Sequence, residues 1–330
     1  MGENTIHKRI EWIDFAKGIC ILLMIFGHTY SFGTPVRNLI FSFHMPLFLI
    51  LSGYTFHYEK LSCRSFFQKE RKDFLQLIVP VIIVHLLIIL HGIPVDHYNG
   101  IIHDELYALA YASGYTPDRP SLGACWFLVS LFWARLIIRL FNQVVDPDRT
   151  VYLCTLCGIF AVFWGPRKQL LQNFDVTMMT IFFMAAGSLW KSHHELIRKH
   201  QIPVFLASTF VWQLCLSRGI FIEMATRSYP YGALCILEAV CGTFAICCIC
   251  DALCTSKKIR KPFLWLGKHT LLLLCIHCLD SFWIQLWQLP GSGSFQASIL
   301  RTIIDLGILA IAVLLRKLFT KSMKKQSAAA

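Results

Sequence analysis

Apolar residues gather along this chain into ten stretches, each close to the roughly 20 residues that a helix needs to cross a bilayer. They fall at approximately 12–32, 37–57, 74–92, 123–141, 151–165, 176–190, 203–218, 232–254, 263–285 and 297–319, with polar segments between them. A helix is the only open-ended element that can cross lipid, since no water is there to satisfy its backbone. The pattern therefore predicts an all-α, polytopic transmembrane bundle of about ten spans. The fifth and sixth stretches are short, and 101–115 is too polar for a span, which puts it at the interface or in a re-entrant loop. No loop is long enough to bury a core of its own. Residues 1–330 are thus expected to form a single membrane domain, with a basic, disordered tail at 321–330.

Charge sets the orientation, because Lys and Arg collect on the cytoplasmic side of membrane proteins. With the N-terminus inside, only Arg37, Arg119, Arg167, Lys168, Arg218, Arg227 and Arg301 fall outside, out of 31 Lys and Arg. Both termini are expected in the cytoplasm. A net charge of +12 is also what a nucleic-acid binder carries, but here its distribution follows topology, so no nucleic acid is expected as a partner. Only 15% of the residues are charged, against roughly 25% in soluble domains. The 14 cysteines lie mostly inside apolar runs, as small hydrophobes do. No C-x-x-C pair of pairs offers a zinc site, and no metal is expected.

Ionisable residues inside such helices are costly and point to function. Lys17 and His28, eleven positions apart, project within about 20° of each other at 100° per residue, and Asp14 lies one turn below Lys17. His28 sits about four residues, roughly 6 Å, from the outer end of its span. His44 enters from outside and lies about seven residues deep, roughly 10 Å. Trp126 on the fourth span, Glu238 on the eighth and His277 on the ninth share that depth. At the cytoplasmic end lie Lys17, Asp14 and the basic stretch from Lys60 to Lys72.

Four stretches carry a wider pattern. They are Asp14-x-x-Lys17-Gly18 with Gly27-His28, and Phe43-His44-Met45-Pro46-Leu47-Phe48 leading to Ser52-Gly53-Tyr54. The third is Cys125-Trp126-Phe127-Leu128 with Leu131-Phe132, and the last is Gly267-Lys268-His269-Thr270 with His277. Together they resemble the bacterial integral-membrane acyltransferases often called acyltransferase family three. A first-span basic residue, ten residues and His is that family's signature, which Lys17 to His28 fits. His-Met-Pro-Leu-Phe followed by Ser-Gly is similar to the sugar-acetylating branch, the fucose 4-O-acetylases. The match covers most of the chain and departs at Gln76, ahead of Pro80, where Arg is common in the family.

The resemblance implies acetyl-CoA as donor, a carbohydrate or lipid-linked glycan as acceptor, and the bacterial cytoplasmic membrane as the location. On that reading CoA threads in from the cytoplasm past Lys69, Arg71 and Lys72, with Trp126 and Arg135 also contacting the donor. His28 would deprotonate the acceptor hydroxyl, with His44, Lys17 and Asp14 as further catalytic candidates and Ser52, Glu238 and His277 binding the acceptor. A neutral imidazole, with a pKa near 6.5, suits that step and typically contributes about 10²–10⁴-fold. Direct transfer and transfer through an acetylated enzyme fit equally well.

Plainer readings exist for the same residues. Lys17 paired with Asp14 for stability is one, and His44 bonded across helices is another. Ser52-Gly53 as a close-packing step and Lys60–Lys72 as topology-holding charge are two more. A proton-coupled transporter using the histidines as a relay is the competing function, although the chain shows no internal repeat. A homodimer is compatible with the sequence.

Overall fold

The computed structural model describes residues 9–95, 100–116, 118–291 and 293–329. Among them the regular elements are helices, and the β-type pairing is confined to the isolated bridge between Glu223 and Ser228. The chain opens with α1 (Glu11–Gly27), α2 (Pro35–Phe41) and α3 (His44–Thr55). α4 (Cys63–Asp73) passes through a π-helical turn, Phe74–Ile78, into α5 (Val79–Val95). Pro80 has no N–H to give to the Gln76 carbonyl, and the wide turn accommodates that missing bond. Then come α6 (Ile101–Tyr111), α7 (Trp126–Val144), α8 (Pro147–Trp164) and α9 (Phe174–Ser192). The remainder is α10 (His194–Lys199), α11 (Gln201–Ser217), α12 (Ala233–Cys254), α13 (Lys257–Lys268), α14 (Thr270–Cys278), α15 (Ile284–Gln288) and α16 (Phe295–Ala329).

Five helical runs are long and apolar enough to cross a membrane: Pro35–Thr55, Cys63–Pro94, Gly123–Val144, Ala233–Cys254 and Phe295–Met323. A sixth arises if Thr270–Cys278 and Asp280–Gln288, which meet at a 58° bend, are counted as one. These are fewer than the ten apolar stretches. α1 and α11 have 17 residues each, and at 1.5 Å per residue they reach about 26 Å, short of the ~30 Å hydrocarbon layer. α8 starts on Pro147-Asp148-Arg149, and α9 carries Asp175 and Lys191 in its end turns. The 101–115 stretch contains α6, whose 11 residues are too few to cross. The segment expected as a disordered tail is instead the end of α16, which stays helical through Ala329. Its Lys, Gln, Met and Ala residues favour that continuation. Ala330 lies outside the described residues.

α1 is the central helix, packed by α3, α12, α13 and α16. Phe15, Ala16, Cys20 and Ile25 have no exposed surface. Two glycine crossings set how closely its surroundings approach. A Cβ on Gly267 of α13 would stand 1.8 Å from the Asp14 carbonyl oxygen of α1. A Cβ on Gly53 of α3 would stand 1.9 Å from the Met184 carbonyl of α9, and one on Gly187 the same distance from the Ile50 carbonyl. Ser52-Gly53 is thus a close-packing step. Gly53→Ala must push two backbones apart and is expected to cost about 1–3 kcal/mol of stability, as overpacked sites do. Thermal unfolding of the purified protein in detergent checks this.

Candidate active site

α1 offers Lys17, Ile21, Met24 and His28 to an internal cavity of about 300 Å³. Spacings of four, three and four residues are those of one helix face, so the stripe read from Lys17 to His28 is real geometry. His28 stands later on the helix than its span implied. α1 stops at Gly27, and His28 caps it with its N–H on the Met24 carbonyl at 3.0 Å.

Behind His28 is a chain of polar contacts. Its Nδ1 lies 3.0 Å from Nε2 of His277 on α14, and the two rings are parallel within 7°. His277 Nδ1 is in turn 3.1 Å from Oδ2 of both Asp280 and Asp305. Arg301 Nε donates to Asp280 at 2.5 Å. The bend after α14 brings Asp280 back onto His277, three residues earlier, while α16 supplies Arg301 and Asp305 from neighbouring turns. His277, Asp280, Asp305 and Arg301 are all buried. Ionised carboxylates only accept, so Nδ1 of His277 carries a proton. When His277 is neutral its Nε2 accepts from Nδ1 of His28, which leaves the Nε2 lone pair of His28 available as a base; when His277 carries a second proton the bond runs the other way. The donor atoms of His277, Asp280 and Asp305 lie within 4.8 Å of one another, a spacing that also suits a cation. Asp280 is already held by Arg301, and the same three groups are joined by hydrogen bonds into a relay that ends on His28.

His44 opens α3 on the same cavity, its Nδ1 3.2 Å from the Ile40 carbonyl. Phe41 touches both imidazoles, with ring centroids 5.0 Å from His28 and 4.4 Å from His44. Trp126, the first residue of α7, forms another wall. At one end Glu223 and Met224 line the cavity, and Arg37 holds Glu223 at 2.7 Å.

At the other end Arg135 reaches Ser52 Oγ at 3.1 Å and Asp73 at 2.8 Å. Arg139 binds Asp73 and Glu70, each at 2.5 Å. Ser52, Gln76 and Arg135 line this cavity and also a second one of about 240 Å³, whose far wall carries Lys69 and Lys72. The two hollows share a wall, so Ser52, Gln76 and Arg135 stand between the basic helix α4 and the cavity of Lys17 and His28. Lys17 has no ion-pair partner among the described residues. Lys69 pairs with Glu59, and that hydrogen bond holds the Glu59 carboxyl below the usual range.

Three expected site residues stand elsewhere. Asp14 turns to Arg9 (3.0 Å) in a separate hollow with Lys268. At 100° per residue it is some 60° off the Lys17 stripe. Arg71 is exposed and lines neither cavity. Glu238 is fully buried against Ser42 and Trp212, away from the His28 cavity. Conversely, Asp280, Arg301, Asp305, Asp73, Glu70, Arg139, Arg37 and Glu223 were not singled out from the sequence. Arg301 and Asp305, four apart on an otherwise apolar helix, were the clearest missed signal.

Fold and site together define a polytopic membrane protein built around an internal cavity that holds a supported imidazole. The chain belongs to the acyltransferase domain family, which it matches over residues 10–317. It is similar to nodulation protein NolL of Sinorhizobium fredii (strain NBRC 101917 / NGR234), with 30% identity over 301 residues, 82% of this chain and 77% of that protein. Nodulation protein NolL of Mesorhizobium japonicum is 31% identical over 144 residues, 40% of this chain and 36% of that protein. No solved structure matches. The chain is thus a multi-pass membrane acyltransferase by family.

Proposed function

We propose that this acyltransferase moves an acetyl group from acetyl-CoA, arriving from the cytoplasm, to a hydroxyl of a carbohydrate or lipid-linked glycan. The observation that carries the reading is His28, which lines a cavity while its Nδ1 meets the His277–Asp305 relay, and a neighbouring hollow that shares Ser52, Gln76 and Arg135 with that cavity bears Lys69 and Lys72. The pantetheine arm fits a narrow passage past Ser52, Gln76 and Arg135, and its phosphates suit the cationic mouth. The acceptor enters from the Glu223 side, and His28 removes its hydroxyl proton as the oxygen attacks the thioester carbonyl. CoA leaves as the thiolate and takes up a proton. Lys17, the free cation on the same stripe, stabilises the oxyanion or the departing sulfur. His277 and Asp305 position His28 and fix its tautomer.

This polarity goes with ten crossings, both termini in the cytoplasm, and a place in a bacterial cytoplasmic membrane. The short helices α1, α8, α9 and α11 then cross where neighbouring helices shield them. Purified protein given acetyl-CoA and a fucosylated or other polyhydroxylated acceptor is expected to release free thiol, and calorimetry is expected to show CoA binding. No binding at millimolar CoA would sink the reading. Lys72→Ala should weaken CoA binding about tenfold, the size of one lost charge-assisted contact, whereas Arg71→Ala should leave it unchanged.

A further inference from the structure

A third cavity, of about 350 Å³, opens where the cytoplasmic ends of α1, α3, α9 and α12 meet the short helix α10, and it shares no residue with the donor path. One wall is aromatic. Tyr54 packs edge to face on both Trp12 and Trp190, whose own rings are tilted by 40°, with ring centroids 5.5 to 5.9 Å apart. The His194 ring sits 5.8 Å from Tyr54, and its buried Nδ1 has no partner among the described residues. The polar rim carries one charge of each sign, Arg198 and Asp251. Arg198 has no ion-pair partner among the described residues. Asp251 accepts only a 3.4 Å bond from Gln201, so most of its acceptor capacity is unspent.

The ligand chemistry follows from this set. A guanidinium suits a phosphate. A carboxylate beside electron-rich ring faces suits an ammonium. A purely anionic ligand would meet Asp251, and a purely cationic one would meet Arg198. The cavity lies at helix ends, the level at which a membrane-spanning bundle meets the headgroup layer, where Trp and Tyr characteristically sit. We propose that the cavity binds a zwitterionic phosphoethanolamine headgroup, supplied by a membrane phospholipid. A primary ammonium is favoured over a quaternary one because its N–H groups can donate to Asp251. The site lies beside the start of α1, the helix that carries Lys17 and His28, so an occupying lipid would brace the catalytic helix from below.

The test uses the full chain in nanodiscs of equal phosphatidylethanolamine and phosphatidylglycerol, followed by native mass spectrometry. One retained phosphatidylethanolamine is expected, falling about tenfold in Asp251→Asn and Arg198→Gln. Equal retention of phosphatidylglycerol, or wild-type retention by both variants, would overturn the proposal. Competition on the unmodified protein gives an answer that does not depend on variants folding. Displacement by free CoA would also overturn it. Glycerophosphoethanolamine, the headgroup without chains, separates the sources. Failure to displace assigns the site to the lipid, and displacement keeps the zwitterion chemistry but assigns it to a soluble phosphoamine. Because Arg198 and Asp251 are off the donor path, thiol release should persist in both variants, which keeps this outcome separate from that of the transfer reaction.

Discussion

Replacing His28 by alanine is expected to lower kcat/KM for acyl transfer by about 10²–10⁴-fold, the usual worth of a positioned base, while CoA still binds. The argument rests on proton positions. Two carboxylates hold the His277 proton on Nδ1; a neutral His277 then accepts from Nδ1 of His28, and Nε2 of His28 is the nitrogen left to take the acceptor's proton. His28→Asn keeps a donor toward His277 but supplies no base, so it should fail as badly as alanine without the cavity alanine leaves. Asp305→Asn should be milder, since Asp280 still accepts from His277. A loss falling on kcat, with CoA affinity unchanged by calorimetry, distinguishes a catalytic base from a merely structural histidine. Wild-type turnover in His28→Ala would remove His28 from the chemistry.

What the sequence made legible was local. The Lys17–His28 stripe follows from helix periodicity alone and survives intact, as does the tight Ser52-Gly53 step. Depth along a span put His28, His44 and Trp126 at one level, and all three line one cavity. Depth is one coordinate of three, however. Glu238 groups with them by depth but is buried against Ser42 and Trp212 and does not line that cavity, and nothing in its own helix could reveal that. Asp14 and Arg71 failed on angle within their own helices. Lys69 and Lys72 share a face of α4, three residues apart, while Arg71 lies 200° around from Lys69. The partners of His277 come from a helix break and from α16, so they depend on tertiary packing. Hydropathy windows also do not see the charged end turns of helices such as α8 and α9, because a window reports mean composition and not where the charged ends fall.

Asp73→Ala is expected to be the most destabilising single change at the site, by about 3–5 kcal/mol, because it strips a buried carboxylate from one buried and one half-buried guanidinium. Asp73 receives Arg135 at 2.8 Å and Arg139 at 2.5 Å, and Glu70 then remains to compensate Arg139 alone. Arg135 would keep only the neutral Ser52 hydroxyl. Two like charges would face each other at the junction of the two cavities, with little water to screen them. Unfolding in detergent should shift down by roughly 5–10 °C, and CoA affinity should fall with it, since Arg135 loses its fixed orientation at the passage. Asp73→Asn, which retains an acceptor of the same shape, should recover part of both losses. An electrostatic cause also predicts partial rescue in Asp73→Ala by Arg139→Met, which removes one of the two stranded cations. If the double variant is no more stable than the single one, the cost lies in packing around Asp73 rather than in its charge.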